Sequence, residues 1–193
     1  MNFFFIIIII IFNLILCGIS ILYLVFIIID FLNFIIRKIP PIPTSSRTIE
    51  FILEIIRKKK DNRKTFVDLG CGRGRVLISL KKKYPEIEAI GYENWPTQFL
   101  LAKIMLFFSG IKAKIFYKDL FQADLTNTQI VFCYLYPHLM KRLEAKLKKE
   151  LKEGALIISN TFPLPNWQPS QILITNNKNP DFEKIFVYEK NNR

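Results

Sequence analysis

The residue types that build metal centres, disulfide frameworks and hydrolytic triads are scarce in this sequence. It has one histidine, His138, and three cysteines, Cys17, Cys71 and Cys133, that lie far apart in the chain. No two cysteines have the C-x-x-C spacing, so neither a zinc site nor a disulfide framework is indicated. The single histidine argues against a His-rich metal site. We therefore expect no metal ion, and we expect reduced thiols in a domain that faces the cytosol.

Basic residues are absent from the first 36 residues, where Asp30 is the only charge. Residues 3–29 are nearly all Phe, Ile, Leu and Val, and ~20 helical residues suffice to cross a bilayer core of ~30 Å. A removable signal peptide would need a basic amino end, a shorter apolar core and a small-residue cleavage site, and none is present. We therefore predict that residues 1–36 form an uncleaved single-pass membrane anchor that contacts the lipid bilayer through residues 3–29.

All 28 Lys and Arg residues fall in the remainder of the chain, which has 15 acidic residues. Arg37, Lys38, Arg47 and the basic run 57–60 follow the apolar segment, so the positive-inside rule predicts that the domain lies on the cytoplasmic side. The excess charge has two readings. One is a biased composition rich in Lys, Ile and Asn, and the other is attraction to anionic lipid or nucleic acid.

A short connector separates the apolar segment from a domain over residues 46–193. Each proline in Ile39-Pro-Pro-Ile-Pro43 fixes φ and removes a backbone donor, so residues 37–45 are expected to be stiff and extended. Apolar residues then recur at helical spacing, which predicts an amphipathic helix over residues 46–59.

Strand and helix patterns alternate through the rest of the chain. Strands are predicted over 65–69, 87–93, 113–117, 129–135, 154–160, 171–175 and 184–189, and helices over 74–83, 96–109 and 138–152. This rhythm predicts an α/β, Rossmann-like fold with a mostly parallel seven-stranded sheet and helices on both faces. The last two strands are expected to form a hairpin across residues 176–181. A proline-rich loop, 163–169, takes the place of a helix after the fifth strand.

A glycine-rich turn lies between the first predicted strand of this domain and the helix that follows it. Its sequence is Asp68-Leu-Gly-Cys-Gly-Arg-Gly74, and such turns hold nucleotide-like cofactors in α/β folds. Gly70, Gly72 and Gly74 let the backbone approach a ligand closely, and Cys71 is expected to contribute its backbone only. Asp68 can serve an ammonium group. The pattern resembles motif I of the class I S-adenosylmethionine (SAM) methyltransferases.

Acidic residues end the next two predicted strands. Glu93 lies 23 residues after Gly70, where an acid can accept hydrogen bonds from both ribose hydroxyls of a cofactor. A surface acid that caps the following helix is the alternative reading. Asp119 is predicted to accept from the adenine amine, with Leu120 packed on the ring. Here the alternative is an ordinary loop acid.

Aromatic residues follow the fourth and fifth predicted strands. Tyr134, Tyr136 and Pro137 come directly after the fourth strand, and Phe162 and Trp167 come after the fifth. Ligands of open parallel sheets bind at the carboxyl ends of strands, so these residues are predicted to position a chain-like amine and exclude water. Packing alone is the alternative for the tyrosines, and closure of the sheet edge is the alternative for the loop.

Several motifs together resemble one small family, that of the mitochondrial ATP synthase c-subunit lysine N-methyltransferase and its adenine nucleotide translocase-directed relative, with prokaryotic members. The matching segments are Pro40-Pro-Ile-Pro-Thr-Ser45, Phe66-Val-Asp-Leu-Gly-Cys-Gly-Arg-Gly-Arg75, Gly91-Tyr-Glu93, Tyr134-Leu-Tyr-Pro137 and Phe162-Pro-Leu-Pro-Asn-Trp167. The resemblance implies a class I fold and SAM as cofactor. It also places Thr44 and Ser45 beside the SAM carboxylate. One departure falls at Asn94, which directly follows Glu93 in the expected cofactor site.

These observations predict a membrane-anchored, SAM-dependent protein-lysine methyltransferase that acts on a membrane protein. Three alternatives stay open: methylation of a lipid or small apolar molecule, a SAM-binding scaffold without catalysis, and a basic nucleic-acid-binding module. The basic residues are dispersed and no RNA-binding motif is recognised, so no nucleic-acid partner is expected.

Overall fold

The computed structural model describes residues 3–37, 41–59, 64–175 and 184–191. The chain divides into two compact units, Met1–Pro41 and Ile42–Arg193. Their boundary falls inside the connector, while the division into anchor, connector and domain at residues 36 and 45 stays a prediction. Part of the connector, residues 38–40, and the predicted hairpin turn over 176–181 lie outside the described residues.

The first unit is a single long helix, α1, over Phe3–Arg37. Its segment Phe3–Ile35 is long and apolar enough to cross a membrane, with a mean hydropathy of 3.1 over its most apolar window, none of which is buried within the protein. The polar residues Asn13, Ser20 and Asn33 each donate a hydrogen bond to the carbonyl four residues earlier. These bonds satisfy side-chain donors that would otherwise cost free energy in an apolar environment.

The second unit is built on one seven-stranded sheet in the order β3-β2-β1-β4-β5-β7-β6. The four pairings among β1 to β5 are parallel, and β7 runs antiparallel to both β5 and β6. The strands span Thr65–Leu69 (β1), Glu88–Glu93 (β2), Lys114–Tyr117 (β3), Ile130–Cys133 (β4), Leu156–Asn160 (β5), Gln171–Ile174 (β6) and Lys184–Glu189 (β7). This arrangement confirms the predicted fold class.

Helices cover both faces of the sheet. They span Ser46–Lys59 (α2), Arg75–Lys83 (α3), Pro96–Ser109 (α4) and Pro137–Glu150 (α5), with a short 3₁₀ turn at Leu120–Gln122. Buried residues of α2, α3 and α4 pack with alternate strand residues in one apolar core, and α5 packs in a second core on the opposite face. The apolar stripe of α2, which includes Ile49, Ile52 and Ile56, is buried as its helical spacing predicted.

Local backbone chemistry shifts several element ends by one or two residues from the predicted bounds. The fifth strand begins at Leu156 and not at 154, because Gly154 has φ +77°, which a strand does not accommodate. The fourth strand ends at Cys133. Pro137 occupies the first turn of α5, where its missing N–H costs nothing. Residues 161–170 contain neither helix nor strand, so the predicted loop does follow β5.

Strand order reverses between β1 and β4, so the chain leaves the sheet in opposite directions on the two sides of this point. In open α/β sheets, ligands bind in the crevice outside the carboxyl ends of such strands. The glycine turn after β1 and the aromatic residues after β4 therefore meet at one edge of the sheet.

Candidate active site

The turn between β1 and α3 is held by backbone hydrogen bonds and by glycine conformations. The N–H groups of Gly70 and Cys71 donate to the carbonyl of Tyr92 at 2.9 and 3.0 Å. Gly70, Gly72 and Gly74 have φ of 80°, 52° and 73°, which residues with a Cβ rarely adopt. A Cβ built on Gly72 would meet no heavy atom within 4 Å. The backbone at Gly72 therefore faces open space that a ligand can approach.

Asp68 is a buried carboxylate on the central strand, with 2% of its surface exposed. Among the described residues, none forms a hydrogen bond with its side chain. Burial, and then the negative charge of Glu93, raise the pKa of Asp68 well above its ordinary value. A cation beside it would offset both effects. An anionic side chain at this position would suit a ligand ammonium group, and the predicted role of Asp68 toward SAM stays a prediction.

Glu93 ends β2 and ties the glycine turn to the start of α4. One carboxylate oxygen accepts from the N–H of Gly72 at 2.7 Å, and the other accepts from the N–H of Trp95 at 2.8 Å. Each carboxylate oxygen has a second lone pair. The side chain therefore fixes the turn, and its predicted role as an acceptor for a ribose stays a prediction.

Asn94 and Asp119 lie together at the ends of β2 and β3. The amide of Asn94 donates to Oδ2 of Asp119 at 3.2 Å, and the N–H of Phe121 donates to Oδ1 at 2.8 Å. Leu120, which lies between Asp119 and Phe121 in the chain, is buried, with 9% of its surface exposed. The residues predicted to surround the adenosine part of the cofactor are thus brought to one place, and the family departure at Asn94 has a defined partner.

Thr44 and Ser45 precede α2. The N–H of Thr48 donates to Oγ of Ser45 at 3.1 Å, which makes Ser45 the helix cap. The next residue, Ser46, accepts a hydrogen bond at 3.0 Å from Arg75, the first residue of α3 after the glycine turn. The segment predicted to lie beside the SAM carboxylate is therefore next to the glycine turn.

Aromatic residues gather after β4 and β5. The ring of Tyr136 lies 6.4 Å from that of Phe162 and 6.5 Å from that of His138. Tyr134 is half-buried against the core under α2 and α3. Burial, and then Tyr134, raise the pKa of Tyr136, so its phenol stays neutral at physiological pH. Neutral aromatic walls of this kind suit an uncharged amine.

Trp167 is not brought to this aromatic group. Its ring lies 6.0 Å from that of Tyr188 in β7, and Nζ of Lys148, near the end of α5, lies 5.5 Å from its centre. Pro137, at the start of α5, directly follows Tyr136 and is exposed. The structure thus joins Tyr134, Tyr136 and Pro137, and it places Trp167 against the other end of α5.

Sequence reasoning did not single out Asn160, the last residue of β5. It is 5% exposed, and its Oδ1 is fully enclosed without a hydrogen-bond partner in the described residues. Thr161, which follows, has φ +68°, a conformation that costs free energy for a residue with a branched Cβ. A polar residue that ends a buried apolar strand was the available signal. Strain and an unpartnered oxygen at the carboxyl edge together make Asn160 a candidate functional residue.

The two cysteines near the site are not nucleophiles. Burial, followed by Asp68 and Glu93, raises the pKa of Cys71 well above its ordinary value. Burial raises the pKa of Cys133 to about 12. Both therefore remain thiols. Within the described residues, no group of three His, Cys, Asp or Glu side chains has the arrangement of a metal site.

Comparisons with known proteins were made on the whole chain. The family model of the ANTKMT methyltransferase domain matches residues 68–171, which is more than half of the chain. The adenine nucleotide translocase lysine N-methyltransferase of Mus musculus is 33% identical over 138 residues, which cover 70% of this chain and 58% of that protein. This chain thus spans little more than half the length of that relative.

Two further proteins are similar to this chain over nearly their own full length. A protein-lysine N-methyltransferase of Saccharolobus islandicus is 28% identical over 155 residues, covering 79% of this chain and 94% of that protein. The crystal structure of an RNA methyltransferase from Salinibacter ruber in complex with S-adenosyl-L-homocysteine has a TM-score of 0.70, with 21% identity, and covers 79% of this chain and 95% of that one. At this identity the solved structure supports the fold.

The family match spans the glycine turn, the acids that end β2 and β3, and the aromatic residues after β4 and β5. It confirms the predicted recognition, the class I fold and SAM as the cofactor. The chain therefore belongs to the family of the ANTKMT methyltransferase domain, a family of SAM-dependent methyltransferases.

Proposed function

We propose that this protein transfers methyl groups from SAM to lysine side chains of a membrane protein, and that α1 anchors it in the membrane. The observation that carries the proposal is the buried, unpartnered carboxylate of Asp68 beside a glycine turn whose backbone faces open space. The names of the Mus musculus and Saccharolobus islandicus relatives both specify lysine N-methylation, which supports lysine as the acceptor.

The residues proposed to hold SAM lie along one edge of the sheet. They are Thr44, Ser45, Asp68, Gly70, Cys71, Gly72, Gly74, Glu93, Asn94, Asp119 and Leu120. When bound, SAM supplies an electrophilic methyl group on a sulfonium. The protein contributes approach geometry and exclusion of water, which together make the largest entropic saving in such a displacement.

The proposed acceptor site lies beside Tyr134, Tyr136 and Phe162. A lysine has a pKa near 10.4 in water, and burial against these rings lowers it, so that a neutral amine with a free lone pair is presented. The new N–C bond forms as the bond from sulfur to the methyl group breaks, and the amine then loses one proton to solvent. Because its pKa is raised, Tyr136 can donate a hydrogen bond but does not act as the base.

Asn160 is proposed to orient this amine. Its Oδ1 is buried at the carboxyl end of β5, one residue beyond the register pair Cys133 and Ser159. The pairing ends there, and Tyr134 and Asn160 are the next residues of the two chains, so an extension of the register would bring them to the same face. An oxygen there can accept an N–H of the incoming amine and hold its lone pair in one direction.

The membrane part of the proposal depends on α1 and on charge. The helix has the length and composition of a single span. The positive-inside rule then puts the basic domain in the cytoplasm, where SAM is available. An enzyme fixed in the bilayer would reach lysines close to the membrane surface, which favours a membrane protein as substrate.

The test is transfer from methyl-labelled SAM. Membranes from cells that lack this protein are incubated with the purified full-length chain, and the labelled residue is mapped by mass spectrometry. We expect the label on a lysine of a membrane protein. Asp68→Asn should lower the rate by about 10² or more, because the cofactor is misplaced. Asp124→Asn is the matched control, since Asp124 is an exposed aspartate whose carboxylate accepts hydrogen bonds from its neighbour Thr126.

Other outcomes would identify other functions. Label that partitions into the organic phase would favour a lipid or a small apolar acceptor, a possibility supported by the exposed apolar surface of α1. Label on RNA would contradict the protein substrate. Equal transfer by the wild type and by Asp68→Asn would contradict the site itself.

A further inference from the structure

The outward face of α4 is apolar. Leu100, Ile104, Phe107 and Phe108 lie at i, i+4, i+7 and i+8, so they share one side of the helix. We call these four residues the α4 patch. Their exposed fractions are 48%, 42%, 80% and 81%. A helix that covers a sheet normally turns its polar side outward, and α4 instead exposes apolar side chains there.

The side of α4 opposite the α4 patch already packs on the sheet. Ala102 and Leu106 are buried there in the core with Ile115 of β3. At the edge of the sheet, Tyr117 extends the exposed surface: it is 54% exposed and its ring lies 5.3 Å from that of Phe99. The α4 patch is therefore an extra apolar surface beyond what the fold needs, and such surfaces mark interaction sites.

The segment that carries the α4 patch is rich in lysine. Residues 94–118 contain four lysines, Lys103, Lys112, Lys114 and Lys118, and no aspartate or glutamate. Among these, Lys114 forms an ion pair at 2.7 Å with Glu88 of the neighbouring strand. Lys103 lies on α4 itself, with its Nζ 5.6 Å from the ring of Phe99. An exposed apolar helix face that carries the cation Lys103 is complementary to an apolar surface that carries anions.

We propose that the α4 patch binds the surface of an anionic bilayer, with Phe107 and Phe108 at the boundary of the acyl chains and the lysines at the headgroups. Exposed phenylalanines and long basic side chains with apolar stems are the residues that interfacial helices use. Anionic lipid attracts each nearby lysine. The inference rests on the proposed membrane anchoring and adds a second, independent lipid contact on the methyltransferase unit.

A second copy of the chain fits this surface less well. In a two-fold dimer the same patch faces itself, so the lysines of one copy would oppose the lysines of the other. An acidic protein would match the charges but would need its own apolar face. An anionic bilayer provides both negatively charged headgroups and an apolar layer.

The experiment measures contact between the α4 patch and lipid in the full-length chain. Phe107→Trp is reconstituted in vesicles of phosphatidylcholine and phosphatidylglycerol that include a lipid brominated on its acyl chain. Fluorescence of the wild type, which has Trp95 and Trp167, is subtracted. Ile172→Trp is the matched control, because Ile172 is a similarly exposed apolar residue, at 53%, on the edge strand β6.

We expect the fluorescence emission of the indole added in Phe107→Trp to shift to shorter wavelength. The brominated lipid should also quench at least half of that emission, because the indole would be in contact with the acyl chains. The added indole of Ile172→Trp should do neither. Quenching should weaken in vesicles of phosphatidylcholine alone and in high salt, because the lysines then lose their partners. Phe107→Ser with Phe108→Ser should raise amide hydrogen exchange over residues 100–118 in the anionic vesicles only.

Each other result overturns the proposal in a distinguishable way. If the chain floats with the vesicles and the indole at position 107 is not quenched, the anchor stands and the α4 patch does not touch lipid. If the chain does not float with the vesicles, both the membrane anchor and the lipid contact of the α4 patch are contradicted. Methyl transfer is then still tested by its own assay. Equal quenching in vesicles without anionic lipid would contradict a contribution of the lysines to lipid binding. A blue shift that grows with protein concentration and not with lipid identifies a second copy.

Discussion

Asp68 makes cofactor binding depend on pH. Its pKa is raised by burial and by Glu93, and a bound ammonium group would lower it again. SAM binding is therefore expected to release a proton, and the affinity should rise as the pH rises toward the raised pKa. Calorimetry in buffers of different ionisation enthalpy measures the released proton directly. Asp68→Asn should bind SAM weakly with no proton release, and release by that variant would assign the proton to another group.

The same residue sets a trend in stability without the cofactor. The folded protein holds the proton on Asp68 more tightly than the unfolded chain does, so the free energy of unfolding should fall as the pH rises from the ordinary pKa of aspartate through the raised one. Asp124 should act with the opposite sign. The hydroxyl of Thr126, followed by its backbone N–H, lowers the pKa of Asp124, so its contribution is present above the ordinary pKa and is lost as the pH falls.

Urea denaturation tests the direction of both trends when it is measured from below the ordinary pKa of aspartate up through the raised pKa of Asp68. Asp68→Asn should flatten the loss of stability on the alkaline side of the window. Asp124→Asn should flatten the loss on the acid side. A profile for Asp68→Asn that matches the wild type would mean that the buried carboxylate is ionised throughout.

Gly72 separates backbone strain from cofactor binding. Gly72→Ala should cost about 1–2 kcal/mol of stability, because alanine disfavours a positive φ. Its Cβ would point into the space proposed for SAM, so SAM affinity and transfer should both fall, by about 10² in rate. Gly154→Ala is the control: Gly154 has φ +77° with no atom within 4 Å of a Cβ, so it should lose stability alone. Equal kinetics for the two variants would place SAM elsewhere.

Substitution of Asn160 tests whether its side chain orients the substrate or serves only the fold. Asn160→Leu should lower kcat/KM for the lysine substrate by roughly fivefold, since one hydrogen bond contributes about 1 kcal/mol. SAM affinity should not change. Stability should stay level or rise, because an unpartnered buried oxygen is removed. A large loss of stability with unchanged kinetics would show that the side chain serves the fold only.

At the scale of elements, β2 and the glycine turn are packed too closely for any side chain at Gly91. A Cβ there would lie 2.7 Å from both Sγ of Cys71 and Cδ1 of Leu77. Gly91→Ala is expected to cost about 1–3 kcal/mol through overpacking, measured by urea denaturation. Adding Leu77→Ala should not restore the loss fully, because the sulfur contact remains. No destabilisation at all would mean that the turn moves freely away from β2.

Element types followed from the sequence because periodicity reports which face of an element is buried. The alternation of strands and helices predicted the sheet and its two helical layers. Element ends were less accessible, since Gly154 and Pro137 decide them through local backbone angles. The position of Trp167 was also out of reach: the sequence places it after β5 but does not say that the chain returns along α5 toward Tyr188.

At the scale of the whole molecule, α1 is proposed to concentrate the enzyme beside its substrate. A chain without residues 1–36 should bind SAM with unchanged affinity, because the second unit has its own cores. Its transfer to the membrane substrate should fall by about 10², through loss of effective concentration. Replacement of α1 by an unrelated membrane-spanning helix should restore transfer. Full activity of the shortened chain on membranes would contradict the anchoring role.

The sequence by itself determined the class of the fold, the apolar amino-terminal helix and the glycine-rich turn after β1. Those features are local: periodicity, composition and glycine spacing are written along the chain. The tertiary structure alone decided that Glu93 binds the glycine turn, that Asp68 is buried, that Asn160 is buried without a partner and that α4 exposes a second apolar face. Each depends on which distant strands lie side by side, and no local pattern specifies that.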